Sequence, residues 1–354
     1  MKKLFSVVVA LSFALMVSAQ APSDYYNSAN GLTGNQLKAA LHNIIKGHTT
    51  ISYQQLWNAF WSTDNKGNGI VWDMYSDVPN GTPPYTYRLG EDQCGNYTAE
   101  GSCYNREHSW PQSWFNDQTT PRTDLHHIFP TDGYVNGRRS NFAYGEVGSA
   151  TWTSRNGSKL GTCKTQGFSG TAFEPIDEYK GDLARALMYM SVRYYTEDGN
   201  WGSSDMTTKS EIKPWAIQML MRWNEQDPVS QKEIDRNNVI YNDYQHNRNP
   251  FVDHPEYARM IWDPTWNVVE EGNDAVYLFP NPIERGQTLH LSGNAHRFDA
   301  VAICDLCGRT VLKATGNAVG DFAVTLPADF SRGCYIVKLM RNKSVVKYEK
   351  LMVK

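Results

Sequence analysis

Asp124-Leu125-His126-His127-Ile128-Phe129-Pro130-Thr131-Asp132-Gly133-Tyr134-Val135-Asn136-Gly137-Arg138-Arg139 combines turn, strand and helix-start signals in sixteen residues. Asp124 to Pro130 reads as a strand leaving a turn. Thr131 or Asp132 then caps a helix start. Asn136 and Arg139 are three apart, so on a helix they share a face, and an oxygen ligand and a cation point the same way. Upstream lies Arg106-Glu107-His108-Ser109-Trp110-Pro111, a carboxylate beside an imidazole. Neighbours on a regular strand point to opposite sides. Glu107 can then reach a metal from one side while His108 stays free to take a proton from water. A lone Glu-His, His-His or Arg-Arg pair is ordinarily a surface or strand pair. Their convergence within residues 105–141 makes them functional candidates.

The combination suits phosphodiester hydrolysis. Activating water needs a base with a near-neutral pKa, and His is the natural choice. Charge on the phosphorane-like state and on the departing 3′ oxygen suits a hard divalent cation on oxygen ligands. Arg adds a bidentate phosphate clamp. A zinc hydrolase built on His126, His127 and a carboxylate is the competing chemistry, but the chain has no H-E-x-x-H, and Glu107-His108 has the wrong order and spacing for it.

Residues 21–262 read as mainly helical. Leu37, Ala40, Leu41 and Ile44 recur at helical spacing, as do Leu183, Leu187, Met190 and Tyr194. Pro214 sits where a first helical turn tolerates it, and Asp227-Pro228 is read as opening a further helix with Asp227 as its cap. Segments near 62–70, 88–104 and 146–172 read as irregular. After Trp266 the texture changes. Short alternating runs at 288–291, 300–303, 309–312, 322–326, 335–339 and 345–351, divided by turn residues, predict a small β-sandwich. The fold class is thus α+β. The expected domains are a signal peptide at 1–19, a main domain at 20–265, a linker at 266–276 and a C-terminal β-sandwich at 277–354.

The 354 residues agree with two domains, and 40% hydrophobic with 20% charged residues is a globular composition. A net charge of −3 argues against tight storage on nucleic acid. It leaves room for transient binding by a local Arg/Lys cluster. Lys2 and Lys3, the apolar run Leu4 to Val17 and the small residues Val17-Ser18-Ala19 read as a secretory signal, and no run is long enough to span a bilayer. Cys94 and Cys103 are close enough in a polar loop to form a disulfide. Cys163 has no obvious partner. Cys304 and Cys307, with only Cys334 near, lack the ligands for a structural zinc site.

Asn105 to Pro111, Asp124 to Asn136 and Arg139-Ser140-Asn141-Phe142 together resemble the endonuclease I family of secreted bacterial nucleases, in the His-Me finger (ββα-metal) superfamily. Gly181-Asp182-Leu183-Ala184-Arg185-Ala186 with Tyr189-Met190, and Asn247 to Pro255, extend the resemblance across most of 50–262. It implies His108 as general base, and Glu107 and Asn136 as direct ligands of one Mg²⁺, for which Mn²⁺ or Ca²⁺ substitutes. Arg139 would face phosphate or hold the site together. Arg106, His126, His127, Arg185 and Arg248 would bind phosphate or support. The implied activity is cleavage of DNA, and also RNA, with little sequence preference, leaving a 5′ phosphate. Some members carry Asn in place of His127 and Arg in place of Phe129. Leu278 to Pro282, Val301 to Val311, Gly333 to Lys338 and Lys350 to Lys354 resemble the C-terminal sorting domain of type IX secretion. These readings give nucleic acid and the secretion machinery as partners, a monomer, and a secreted or surface-attached location. The alternative is a catalytically inactive surface-attached binding or adhesion protein.

Overall fold

In the computed structural model the chain divides into two units, Met1–Trp266 and Asn267–Lys354. Residues 21–95 and 97–263 are described in the first unit, and 277–292, 300–305, 308–315, 322–341 and 344–354 in the second. The expected signal peptide, the linker and Cys307 lie outside the described residues.

The first unit is organised around one helix. Helix α1 spans Gly34–Ile45 and α2 Gln55–Thr63. Strand β1, Tyr104–His108, is followed by a short turn of helix, α3, at Thr119–Arg122. Strand β2, Ile128–Asp132, pairs antiparallel with β1 and runs directly into α4, Gly133–Arg139. Strands β3 (Ala143–Tyr144), β4 (Val147–Thr153), β5 (Lys159–Cys163) and β6 (Thr171–Glu174) form a sheet in the order β3-β6-β5-β4. Helix α5, Lys180–Arg193, has all 14 residues buried. A small hairpin, β7 (Thr207–Thr208) and β8 (Glu211–Ile212), precedes α6 (Pro214–Gln226), α7 (Gln231–Val239), α8 (Pro250–Asp253) and α9 (Tyr257–Trp262).

Four expectations need correction. Leu125–His127 is a 3₁₀ turn, and the strand begins only at Ile128, because the Asp124 carboxylate accepts from the His126 N–H at 3.1 Å and curls the chain there. Asp227 closes α6 instead of opening a helix. Its carboxylate accepts from the Gly181 N–H at 2.8 Å. The next helix starts at Ser230, which forms a reciprocal capping box with Glu233. Residues 146–172, read as irregular, contain β4, β5 and the start of β6. Much of β4 is solvent-exposed Ser, Ala and Thr, so the apolar alternation that marks a half-buried strand is missing. Helix α5 is not amphipathic in its setting but buried all round.

An all-round buried helix must satisfy its own charges. Arg185 donates Nε to Glu233 Oε1 at 2.6 Å and Nη2 to Oε2 at 2.9 Å. Lys180 reaches Glu174 at 2.7 Å, and Lys232 reaches Asp182 at 3.5 Å. Arg248, from the segment before α8, clamps Asp253 through Nε at 2.6 Å and Nη2 at 2.7 Å. These pairs set the positions of α5, α7 and α8, against which the β1–β2–α4 unit rests. Arg236 of α7 donates Nη2 to the Ile128 carbonyl of β2 at 2.7 Å and Nε to Asp64 at 3.1 Å.

The second unit has two antiparallel sheets. Strands β9 (Tyr277–Phe279), β10 (Thr288–Ser292) and β13 (Phe322–Thr325) form one, in the order β13-β10-β9. Strands β11 (Ala300–Cys304), β12 (Thr310–Thr315), β14 (Gly333–Arg341) and β15 (Ser344–Val353) form the other, in the order β12-β11-β14-β15. Leu289, Leu291 and Val324 from the first share one apolar cluster with Val301, Ile303, Val337, Leu339 and Leu351 from the second. Strand β9 was not expected. It is three residues long, too short for alternation to register.

Asp73 braces the start of α4. Its Oδ2 accepts from the Asp132 N–H at 3.0 Å and its Oδ1 from the Tyr75 N–H at 2.8 Å. Burial pushes its carboxyl up to about 7, opposed by Ser76 and Tyr75, and the nearby Asp132 adds to the rise. A carboxyl held above its unfolded value disfavours the folded state progressively as pH rises from its unfolded value through 7. Asp73→Asn removes that term. Its melting temperature, lower overall for the lost acceptor, should change more favourably from pH 5 to pH 8 than that of the wild type. Parallel pH dependences by calorimetry would contradict this.

Candidate functional site

Strands β1 and β2 place Arg106 opposite Pro130, Glu107 opposite Phe129 and His108 opposite Ile128. Asp132 ends β2 and caps α4, accepting from the Val135 N–H at 2.7 Å through Oδ1. Its Oδ2 accepts from the Gly101 N–H at 2.8 Å and from the Tyr87 hydroxyl. This fixes where α4 leaves the sheet, and so fixes Asn136 and Arg139. Glu107, His108, Asn136 and Arg139 all border one polar cleft of about 510 Å³, together with Tyr53, Asn105, Arg106 and Gln112.

Glu107 and His108 leave β1 into different surroundings, as alternation requires. Glu107 is 1% exposed. Its Oε1 accepts from Tyr75 at 3.0 Å, Tyr144 at 3.2 Å and Arg139 Nη1 at 3.1 Å. Burial raises its pKa, while the Arg139 charge and the two tyrosine hydroxyls hold it down. All three donors converge on one oxygen. That leaves Oε2 as the oxygen able to serve the cleft.

Asn136 donates Nδ2 to Asn105 Oδ1 at 2.7 Å. That bond consumes a donor, so the amide oxygen is the atom left for a ligand. Oε2 of Glu107 and Oδ1 of Asn136 are a hard, oxygen-only pair of the kind Mg²⁺ takes while keeping several waters or phosphate oxygens. The donor set therefore fits such a cation. Among the described residues no group of three or more His, Cys, Asp or Glu could hold a metal. His126 and His127 are directed elsewhere.

His108 places Nε2 3.0 Å from the Arg122 carbonyl. A carbonyl only accepts, so Nε2 carries the hydrogen and Nδ1 keeps the lone pair. Burial pushes the ring down to about 3, with the neighbouring His127 adding to the fall and the carbonyls of Arg122 and Arg106 opposing it. The imidazole is therefore neutral at neutral pH. Tyr53 stacks 6.1 Å from it, and Phe115 and His127 flank it at 6.4 and 5.5 Å between centroids.

Arg139 is as buried as Glu107. It donates Nη1 to Glu107 Oε1 and to the His108 carbonyl at 3.0 Å, and Nη2 to the Ser109 carbonyl at 2.7 Å. Of the two roles open to it, this geometry matches holding the site together. Arg106 donates Nη1 to the Tyr53 carbonyl at 2.8 Å. His126 and His127 lie behind the site, with Nε2 on the carbonyls of Asn247 and Pro121 at 3.2 and 2.7 Å. Burial pushes each down to about 4, although the Asp124 charge pulls both up. Arg185 and Arg248 are interior and engaged with Glu233 and Asp253, outside the cleft lining. Phe129 is buried under the guanidinium of Arg236 at 4.5 Å. Cys94 and Cys103 form a disulfide, which brings the loop before β1 to the cleft edge. Among the described residues Cys163 and Cys304 are buried free thiols.

Sequence reasoning gave no role to Tyr75, Tyr144, Asn105 or the Arg122 carbonyl. Asn105 stood inside the Asn105 to Pro111 run and was the one within reach. Tyr75 and Tyr144 lie 32 and 37 residues from Glu107, and carry no local pattern.

Comparison with known proteins bears on the same elements. The family model described as Endonuclease I matches residues 33–256, and that of the secretion system C-terminal sorting domain matches 277–354. The chain is similar to an extracellular ribonuclease of Bacillus amyloliquefaciens, 38% identical over 260 residues, which is 71% of this chain and 82% of the relative. It is also similar to an extracellular ribonuclease of Bacillus subtilis (strain 168), 37% identical over 262 residues, 71% of this chain and 83% of the relative. An Endonuclease-1 of Buchnera aphidicola subsp. Baizongia pistaciae (strain Bp) matches at 33% identity over 131 residues, 37% of this chain and 46% of the relative. The chain is a secreted or cell-surface protein and belongs to the Endonuclease I family.

Proposed function

We propose that the protein is a metal-dependent endonuclease that hydrolyses phosphodiester bonds in DNA and RNA with His108 as general base, leaving a 5′ phosphate. The β1–β2–α4 unit serves as its ββα-metal (His-Me finger) motif. One observation supports the reading: an imidazole with Nε2 fixed on a main-chain carbonyl shares a cleft with the Glu107 carboxylate and the Asn136 amide on neighbouring elements. The names of the Bacillus relatives favour RNA among the substrates.

Residues 20–265 supply catalysis in this reading. Residues 277–354, with their two sheets as a β-sandwich, supply the address for type IX secretion. Glu107 and Asn136 would hold one Mg²⁺, which when bound stabilises charge on the phosphate and on the departing oxygen. Nδ1 of His108 takes the proton of the attacking water. The Arg122 carbonyl holds the ring in the tautomer that allows this, as the partner of a catalytic His usually does. Arg139 acts as a positioning residue. It ties α4 to the end of β1 and occupies one oxygen of Glu107, which directs the other.

His108→Ala should lower plasmid cleavage by about 10³-fold, within the range for losing a general base, with an unchanged circular dichroism spectrum. Cleavage at the wild-type rate would remove His108 from the reaction. Asn136→Ala removes a ligand without touching the base. Its half-saturating Mg²⁺ should rise by at least about tenfold, the loss seen when even an outer-shell partner is removed. An unshifted Mg²⁺ titration would mean that another residue is the ligand.

A further inference from the structure

We infer that Arg122 and Arg106, mounted on Tyr53, form a clamp for a backbone phosphate of the bound nucleic-acid strand, and that Arg122 is the arm whose fork engages it. The inference rests on the endonuclease reading and deepens it at the same cleft.

The Arg106 guanidinium carbon lies 3.6 Å from the Tyr53 ring centroid and that of Arg122 lies 4.4 Å from it. Arg106 also lies over Trp57 at 4.4 Å. Stacking uses the guanidinium faces and leaves the in-plane N–H edges available. Each edge has one anchor. Arg106 donates Nη1 to the Tyr53 carbonyl, and Arg122 donates Nε to Gln112 Oε1 at 2.9 Å. Among the described residues neither terminal nitrogen of Arg122 has a hydrogen-bond partner, and these two form the fork that fits two phosphate oxygens.

Unlike the interior arginines, these two have no counter-charge among the described residues. Arg139, Arg185, Arg236 and Arg248 each pair with a carboxylate. Among the described residues, no ion pair joins Arg106 or Arg122 to a carboxylate. Two cations sharing one ring repel each other, and an anion seated between their edges relieves that repulsion. The place suits the reaction. Tyr53, Arg106 and Gln112 line the cleft that holds His108. Tyr53 stacks near the His108 ring, and the Arg122 main chain holds His108 Nε2. One residue thus orients the base through its carbonyl and reaches for the strand through its side chain. Only the second function depends on side-chain identity, so substitution separates the two.

The experiment is steady-state cleavage of a single-stranded oligonucleotide at several salt concentrations in saturating Mg²⁺, by wild type, Arg122→Gln and Arg122→Lys, with melting temperatures for all three. Arg122→Gln should raise KM about tenfold and change kcat by less than about threefold, the pattern for lost uniform binding. Its plot of log kcat/KM against log salt should be shallower by about one, the loss of one phosphate contact. Arg122→Lys, which keeps the charge without the fork, should restore the slope and part of KM. An unchanged KM and salt slope in Arg122→Gln would overturn the clamp. So would a fall in kcat alone, because Arg122 would then act only through His108. A wild type that cleaves nothing would sink the endonuclease reading itself, whereas an active wild type with an indifferent Arg122→Gln sinks only the clamp.

Discussion

The buried ion pair of Glu107 and Arg139 ties helix α4 to the end of strand β1. Both side chains are 1% exposed and meet at 3.1 Å. Removing two charges from water costs more than their mutual attraction returns unless the remaining donors and acceptors are also satisfied. Here Tyr75, Tyr144 and the main-chain carbonyls of His108 and Ser109 do that. They come from the segment before β1, from β3 and from the end of β1. Arg139 comes from α4. Satisfying one carboxylate therefore fixes four segments of chain, and the cleft is what remains in front of them.

The same economy governs the rest of the first unit. A helix buried on every side cannot be solvated, so α5 pairs its charges with α7 and with the segment before it. Basic residues that a sequence reader would assign to phosphate, such as Arg185 and Arg248, are consumed in that interior. This reconciles a net charge of −3 with a nucleic-acid substrate. The cations that remain unneutralised at the cleft are few, and few contacts favour transient binding over tight storage.

Much of this was legible in the residues. The apolar spacing of α1 and α6 and the alternation of the C-terminal strands follow from burial of one face, which periodicity reports. Asp132 as a cap and the shared face of Asn136 and Arg139 follow from local chemistry. The β3–β6 sheet did not show itself, because β4 exposes polar and small residues. The start of α7 was misplaced at Asp227, because an Asp-Pro pair is a strong local signal that the Ser230–Glu233 capping box overrides. At the site, Glu107, His108 and Asn136 could be named in advance. Their orienting partners could not. Asn105 aims an amide, Tyr75 and Tyr144 load one oxygen of a carboxylate, and the Arg122 carbonyl selects a tautomer. None of these roles leaves a mark on local sequence. Arg139 could be seen as important, but whether it faced phosphate or Glu107 was a question of burial.

In the proposed function the oxygen pair and the neutral imidazole together make a metal-dependent nuclease. Digestion of plasmid DNA and of single-stranded RNA by the purified protein, with Mg²⁺, with EDTA, and with Mg²⁺ restored after EDTA, tests it most directly. Both should be cleaved in Mg²⁺ and neither in EDTA, with recovery on adding Mg²⁺ back. Cleavage that persists in EDTA, or intact nucleic acid throughout, would contradict it.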